Sequence, residues 1–246
     1  MNTSPSFPPL PDMTLADIVT GDSRTATVFD RIGLDYCCHG HQTLRDAAID
    51  RGVPLSELIE QLANLGPRPD GTSAPAATDD LATLAQHVVN RHHRYVRETI
   101  PTISAWLDKL VSRHGTRHPE LASIQLAFEE LAGELLNHMS KEEHLLFPYI
   151  EALSAAAKTG GLLPPSPFGT ILNPIRVMEQ DHREAGDHMS HIRVWSQSYT
   201  PPADACRTYR LCYEALAQFE ADLHQHVHLE NHVLFPRAVA LESAVA

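Results

Sequence analysis

The chain has 246 residues, 43% of them hydrophobic and 20% charged, which is enough apolar material for a core and too much for a disordered acidic chain. Its formal net charge of −12 excludes the basic surface that a nucleic acid or an anionic membrane would need. Aromatic residues are sparse at 6% and no stretch alternates with period two, so the expected fold class is all-α. Nothing reads as a signal peptide, and no stretch reaches 18 uninterrupted apolar residues, so the expected location is the cytoplasm, with no membrane partner. The four cysteines do not form a secreted disulfide framework. The anomaly is histidine, 16 residues, the commonest metal ligand and the residue that titrates near neutral pH.

In chain order, residues 1–11 are proline-rich and read as a disordered tail. Thr14 is placed to cap a short helix, and Ser23 to Ile32 reads as another, stopped by Gly33. A loop follows, carrying Asp35, Tyr36, Cys37, Cys38, His39, Gly40 and His41. Thr43 can cap the next helix, and Leu55, Leu58, Ile59, Leu62 and Leu65 mark an amphipathic one. These elements make a small helical module, 13–66, which a Pro- and Gly-containing linker, 67–78, joins to a larger domain, 79–241.

The larger domain repeats internally. His138, Glu142, His144, Leu146, Phe147 and Pro148 recur 88 residues later as His226, Glu230, His232, Leu234, Phe235 and Pro236. His93-Arg94 recurs as His182-Arg183 at an offset of 89. Each half therefore holds one helix with a single histidine and one with His-x-x-x-Glu, which predicts a four-helix bundle with a pseudo-twofold axis.

Apolar residues at 3–4 spacing define the inward stripe of each helix. Val89, Val96, Ile100, Ile103, Leu107 and Leu110 include His93 in register. Leu121, Ile124, Phe128, Leu131, Leu135, Leu145 and Tyr149 include His138 and Glu142. Ile175, Met178, Ala185, Met189 and Ile192 include His182, and Leu216, Phe219, Leu223 and Val233 include His226 and Glu230. Four imidazoles and two carboxylates aimed at one core would carry a desolvation penalty of several kcal/mol per unpaired charge. A cationic cluster removes it. In His-x-x-x-Glu both side chains lie on one helix face a turn apart, so the six residues can serve two adjacent metals. Mixed imidazole and carboxylate suits Fe, Mn or Zn, and bridging carboxylates inside a bundle are the pattern of di-iron and di-manganese proteins.

The remaining histidines of the bundle helices, among them His92, His144, His188, His191, His224, His228 and His232, fall off the stripes and read as surface residues or neighbours of the ligands, the repeat-related His144 and His232 especially. Pro101, Pro148 and Pro236 stand where they would kink or end helices. Gly33 and Gly40 bracket the vicinal cysteines, so Cys37 and Cys38 are expected to be accessible and functional. Their side chains are expected to diverge too far to share one metal. A redox or transfer role, transient iron binding with His39 and His41, and thiolates of lowered pKa all remain open for them. Cys206 and Cys212 do not share a helix face and read as structural.

The ligand set and bundle resemble hemerythrin-like domains. With the preceding module, residues 13–240 resemble the repair-of-iron-centres family, the di-iron proteins of iron–sulfur cluster repair. The resemblance rests on Asp35, Tyr36, Cys37, Cys38 and Gly40 followed by Gln42, Thr43 and Leu44; on His138, Met139, Lys141, Glu142 and Glu143; and on Leu229, Glu230, Asn231, Val233, Leu234, Phe235 and Pro236. It implies a hemerythrin-like bundle with two iron ions in a non-haem centre on His93, His138, Glu142, His182, His226 and Glu230. Glu142 and Glu230 would bridge the irons, with an oxo bridge compatible. It also implies a role in restoring clusters damaged by nitrosative or oxidative stress, by iron donation. The expected partners are damaged iron–sulfur proteins or cluster-assembly proteins, and small molecules such as nitric oxide, oxygen or peroxide. A homodimer is one assembly open to it. A nitric oxide or peroxide reductase and an oxygen- or nitric-oxide-binding sensor stand as alternatives, so whether the chain is an enzyme is left open here.

Overall fold

Side-chain caps at Thr14, Thr43 and Asp80 start three of the helices, and hydrophobic periodicity sets which faces of the long helices turn inward. The computed structural model describes residues 9–66, 80–161 and 165–245, and among these every regular element is helical, apart from one bridge between Thr14 and Thr43. The expected linker at 67–78 and most of the expected tail lie outside the described residues; Leu10–Asp12 forms a single 3-10 turn instead of tail.

In the N-terminal module, α1 (Leu15–Gly21) begins where the Thr14 side chain accepts the Asp17 N–H at 3.1 Å. Helix α2 (Thr25–Ile32) ends at Gly33, which takes the left-handed conformation at φ 71°. Helix α3 (Leu44–Arg51) is capped by Thr43 through the Asp46 N–H, and α4 (Leu55–Ala63) follows. Leu15, Phe29, Leu44 and Leu58 are fully buried between these helices.

The larger domain is built from four rods. The first is α5 (Leu81–Val88) continued by α6 (Arg94–His114). The second is α7 (Glu120–Lys141) continued by α8 (Phe147–Thr159), and the third is α9 (Leu172–Trp195). The fourth is α10 (Arg207–Leu229) continued by α11 (Phe235–Val245). Three of the rods pass through one widened, π-type turn each, at Val89–His93, Glu142–Leu146 and Glu230–Leu234. The latter two lie at the 88-residue offset of the repeat.

Each widened turn inserts one residue into the helical register. Before His93 the inward position is therefore Val88 and not Val89, and after Glu142 it is Leu146, while Leu145 is 53% exposed. This corrects the expected stripes at both places. It also explains why the helices do not end at Pro148 and Pro236. Each proline stands at the second position of the helix beyond a widened turn, where the loss of its N–H costs little.

The apolar core falls into two parts. One gathers residues such as Ile103, Phe128, Leu131, Leu216 and Phe219, the other residues such as Leu84, Ile150, Ile175 and Phe235. On every rod the break between them comes at a histidine or a His-x-x-x-Glu pair. The N-terminal module packs against α9 and α10. Tyr36, fully buried, sets its ring 5.9 Å from His224 and 5.6 Å from His228. The Arg193 guanidinium grips the buried Glu220 carboxylate and donates to the Asp30 carbonyl.

Candidate metal centre

The break in the core is occupied by His93, His138, Glu142, His182, His226 and Glu230, each no more than 2% exposed. The structure brings together all six residues expected from the stripes. The His93 and His138 Nε2 atoms lie 3.3 and 3.2 Å from Glu142 Oε2. His182 Nε2 and His226 Nε2 each lie 3.0 Å from an oxygen of Glu230. The donors fall into two sets, His93–Glu142–His226–Glu230 and His138–Glu142–His182–Glu230, within each of which the ligand atoms lie inside 4.8 Å of one another. Both carboxylates belong to both sets.

Hydrogen bonding leaves this cluster unsatisfied. His93 Nε2, both Glu142 oxygens and Glu230 Oε2 are buried without a hydrogen-bond partner. Two imidazole Nε2 atoms, of His138 and His182, face each other at 3.1 Å. Buried polar groups are normally paired, and orphans that converge on one point fit a cation between them. Borderline nitrogen donors with hard carboxylates suit Fe, Mn or Zn.

The outward nitrogens orient the inward ones. His93 Nδ1–H donates to Glu143 at 2.6 Å, His138 Nδ1–H to Asp181 at 3.2 Å and His182 Nδ1–H to the Asn231 side-chain oxygen at 2.8 Å. His226 Nδ1 has no partner; the buried His92 ring stacks on His226 at 5.5 Å and bonds Asp222. Such outer partners fix tautomer and ring angle in metal sites.

The carboxylates and imidazoles of the cluster shift one another's proton affinity. Burial opposes charge on His93, but the adjacent Glu142 and Glu230 carboxylates outweigh it and raise the imidazole to about 9. His138 is likewise raised, against burial, to about 10 by Glu142 and Asp181. Burial pushes the Glu230 carboxyl up, yet the histidines around it hold it well below its ordinary value. His226 goes the other way, lowered because its burial is not offset by Glu230.

The vicinal cysteines differ from expectation. Cys37 is buried at 4% exposure and Cys38 is half-buried. The Asp35 carboxylate accepts the backbone N–H of both, and Tyr36 anchors the loop in the core, so the glycine-bracketed segment folds inward over α9. Their sulfurs do not diverge; they lie 3.9 Å apart and, with Asp35 Oδ1, form a third group of close ligand atoms. The Cys38 thiol, burial and Asp35 together push the Cys37 thiol well up, which removes a lowered pKa as the basis of its reactivity. His39 bonds Asp35 and remains exposed. Cys206 is exposed and stands just before α10 rather than on it, while Cys212 is buried within that helix, so the two are not residues of one helix as expected.

The histidines off the stripes divide. His144 is exposed and turns back to the Ser140 carbonyl. His92, however, is fully buried beside His226, which the one-residue shift of the widened turn explains. His224, His228 and His232 form one face of the fourth rod and hold the N-terminal module, through Asp30, Thr20 and the Cys37 carbonyl respectively. Sequence reasoning missed Glu143, Asp181 and Asn231 as outer partners. The signal was present, because Glu143 and Asn231 are related by the same 88-residue offset as the His-Glu pairs.

Four helical rods that gather imidazoles and shared carboxylates in a buried layer define a hemerythrin-like, metal-binding bundle. The Hemerythrin HHE cation binding domain model matches residues 84–238, and a domain of unknown function (DUF542) matches residues 11–66. The iron-sulfur cluster repair protein ScdA of Staphylococcus haemolyticus is 31% identical, over 90% of this chain and 95% of its own. The iron-sulfur cluster repair proteins YtfE of Musicola paradisiaca and Salmonella paratyphi B are 32% and 34% identical, each over 94% of this chain and 98% of its own. The chain belongs to this family of hemerythrin-type iron–sulfur cluster repair proteins. Among the described residues, no helix is long and apolar enough to cross a membrane.

Proposed function

We propose that the chain is a di-iron protein that donates iron to iron–sulfur clusters damaged by nitrosative or oxidative stress, acting in the cytoplasm on damaged iron–sulfur proteins. The observation that carries this reading is the pair of overlapping four-donor sets that share Glu142 and Glu230. Two metals held by shared carboxylates match that arrangement, and the relatives are named for cluster repair. His93 and His226 would hold one iron and His138 and His182 the other. Bound iron would supply one-electron chemistry between its ferrous and ferric forms.

The protein's own residues supply retention and a way out. Glu143 and Asp181 hold His93 and His138 with their Nε2 atoms turned inward, so each ligand meets the metal without reorganising. A pocket of about 70 Å³ beside His138 is lined by Glu134, Lys141, Asp181 and Glu184. Its carboxylates suit the passage of a cation. Apolar clusters flank the polar layer on both sides, which supports a bundle that would keep its shape as a metal leaves.

The test mixes anaerobically iron-loaded protein with a [4Fe–4S] enzyme whose cluster nitric oxide has damaged. Enzyme activity should return as iron leaves this protein. No recovery and no iron movement would sink the donor reading; catalytic consumption of nitric oxide or peroxide with a defined electron donor would replace it with a reductase.

A further inference from the structure

The repeat is broken at one informative place. In the first half, Glu143 accepts from His93 Nδ1 and pairs with Arg97 at 2.8 Å, which closes the outer partner on its own half. In the second half the repeat-related residue is Asn231, and an amide can do what a carboxylate cannot. Its oxygen accepts from His182 Nδ1 at 2.8 Å while its NH2 donates to the Cys37 carbonyl at 3.3 Å. The same carbonyl receives His232 Nε2 at 2.7 Å, and Cys38 Sγ lies 3.6 Å from the His182 carbonyl. The cysteine loop of the N-terminal module is thus tied to the outer side of one histidine of the centre.

We infer that Asn231 is a positioning residue that couples the state of the Cys37–Cys38 loop to metal retention in the His138–His182 half of the centre. The inference rests on the two-metal reading above. A neutral amide holds an imidazole less firmly than the carboxylates that hold His93 and His138, because charge-assisted bonds are roughly twice as strong. His182 therefore depends on Asn231 being fixed by Cys37. Chemistry at Cys38 that lifts the loop from α9 removes that fixing and lowers the hold on the metal served by His182. The acidic pocket beside His138 opens on this same half.

The experiment follows iron loss to a ferrous chelator from the anaerobically loaded full chain carrying Cys206→Ser, which leaves Cys38 as the accessible thiol. Two release phases are expected. Alkylation of Cys38 with iodoacetamide should speed one of them about tenfold or more, the scale of a lost outer partner, and leave the other unchanged. In Asn231→Asp, the new carboxylate still accepts from His182 but cannot donate to Cys37, so alkylation should no longer change either phase. In Asn231→Ala, one phase should be fast before alkylation. Alkylation that speeds both phases equally, speeds neither, or acts undiminished in Asn231→Asp overturns the coupling. A chain that loads a single iron sinks the two-metal reading itself, and an iron-to-protein ratio distinguishes that failure from loss of coupling alone.

Discussion

Loading metal into the stripped protein should expel protons, and the number follows from the geometry of the cluster. Metal must displace the protons that compensate Glu142 and Glu230. His93, raised to about 9, and His138, raised to about 10, are both charged at pH 7.5. Loading at that pH should release about two protons per chain; unperturbed histidines would release only about 0.2 in total. The apparent affinity should accordingly rise by about 100-fold per pH unit between pH 7 and 9 and level off above pH 10. Isothermal titration of chelator-stripped protein with ferrous iron, in buffers of different ionisation enthalpy, measures the release directly. A value near 0.2 at pH 7.5 would refute proton compensation in the core.

The same protons set the stability of the stripped protein. A group raised in the fold stabilises it below its unfolded value and loses that contribution as pH climbs through its folded one, here between pH 6.5 and about 10; urea midpoints should fall across that window without metal and stay flat with it. Glu142→Gln keeps the shape but removes a charge shared by both sets, so iron content should drop to one per chain or less by elemental analysis. Tyr36→Ala should cost about 3–5 kcal/mol in urea denaturation and expose the buried Cys37 to thiol reagents. Tyr36→Phe, which removes a hydroxyl that is buried without a partner, should lie within about 1 kcal/mol of the parent protein. Glu220→Ala, which strands Arg193 beneath the N-terminal module, should cost about 2–4 kcal/mol by the same measurement.

Much of the centre was legible in the sequence because its residues obey the periodicity of the core while violating its chemistry. His93, His138, His182 and His226 stand where leucines would, and the 88-residue repeat shows that the placement is not accidental. The widened turns were not legible. Reading stripes at a constant period assigns Val89 and Leu145 inward, and no residue at Val89–His93 or Glu142–Leu146 announces the extra residue per turn. The docking histidines were hidden for a different reason. His224, His228 and His232 face a second unit nearly 200 residues earlier in the chain, a contact that the periodicity of their own helix does not contain. The burial of Cys37 has the same origin, since it depends on Tyr36 finding a pocket on α10.

Mössbauer spectra and metal content of the anaerobically purified protein test the central claim most directly. The geometry of two donor sets sharing both carboxylates predicts two irons per chain, in similar nitrogen and oxygen environments and magnetically coupled. One metal per chain, or zinc alone, would contradict it.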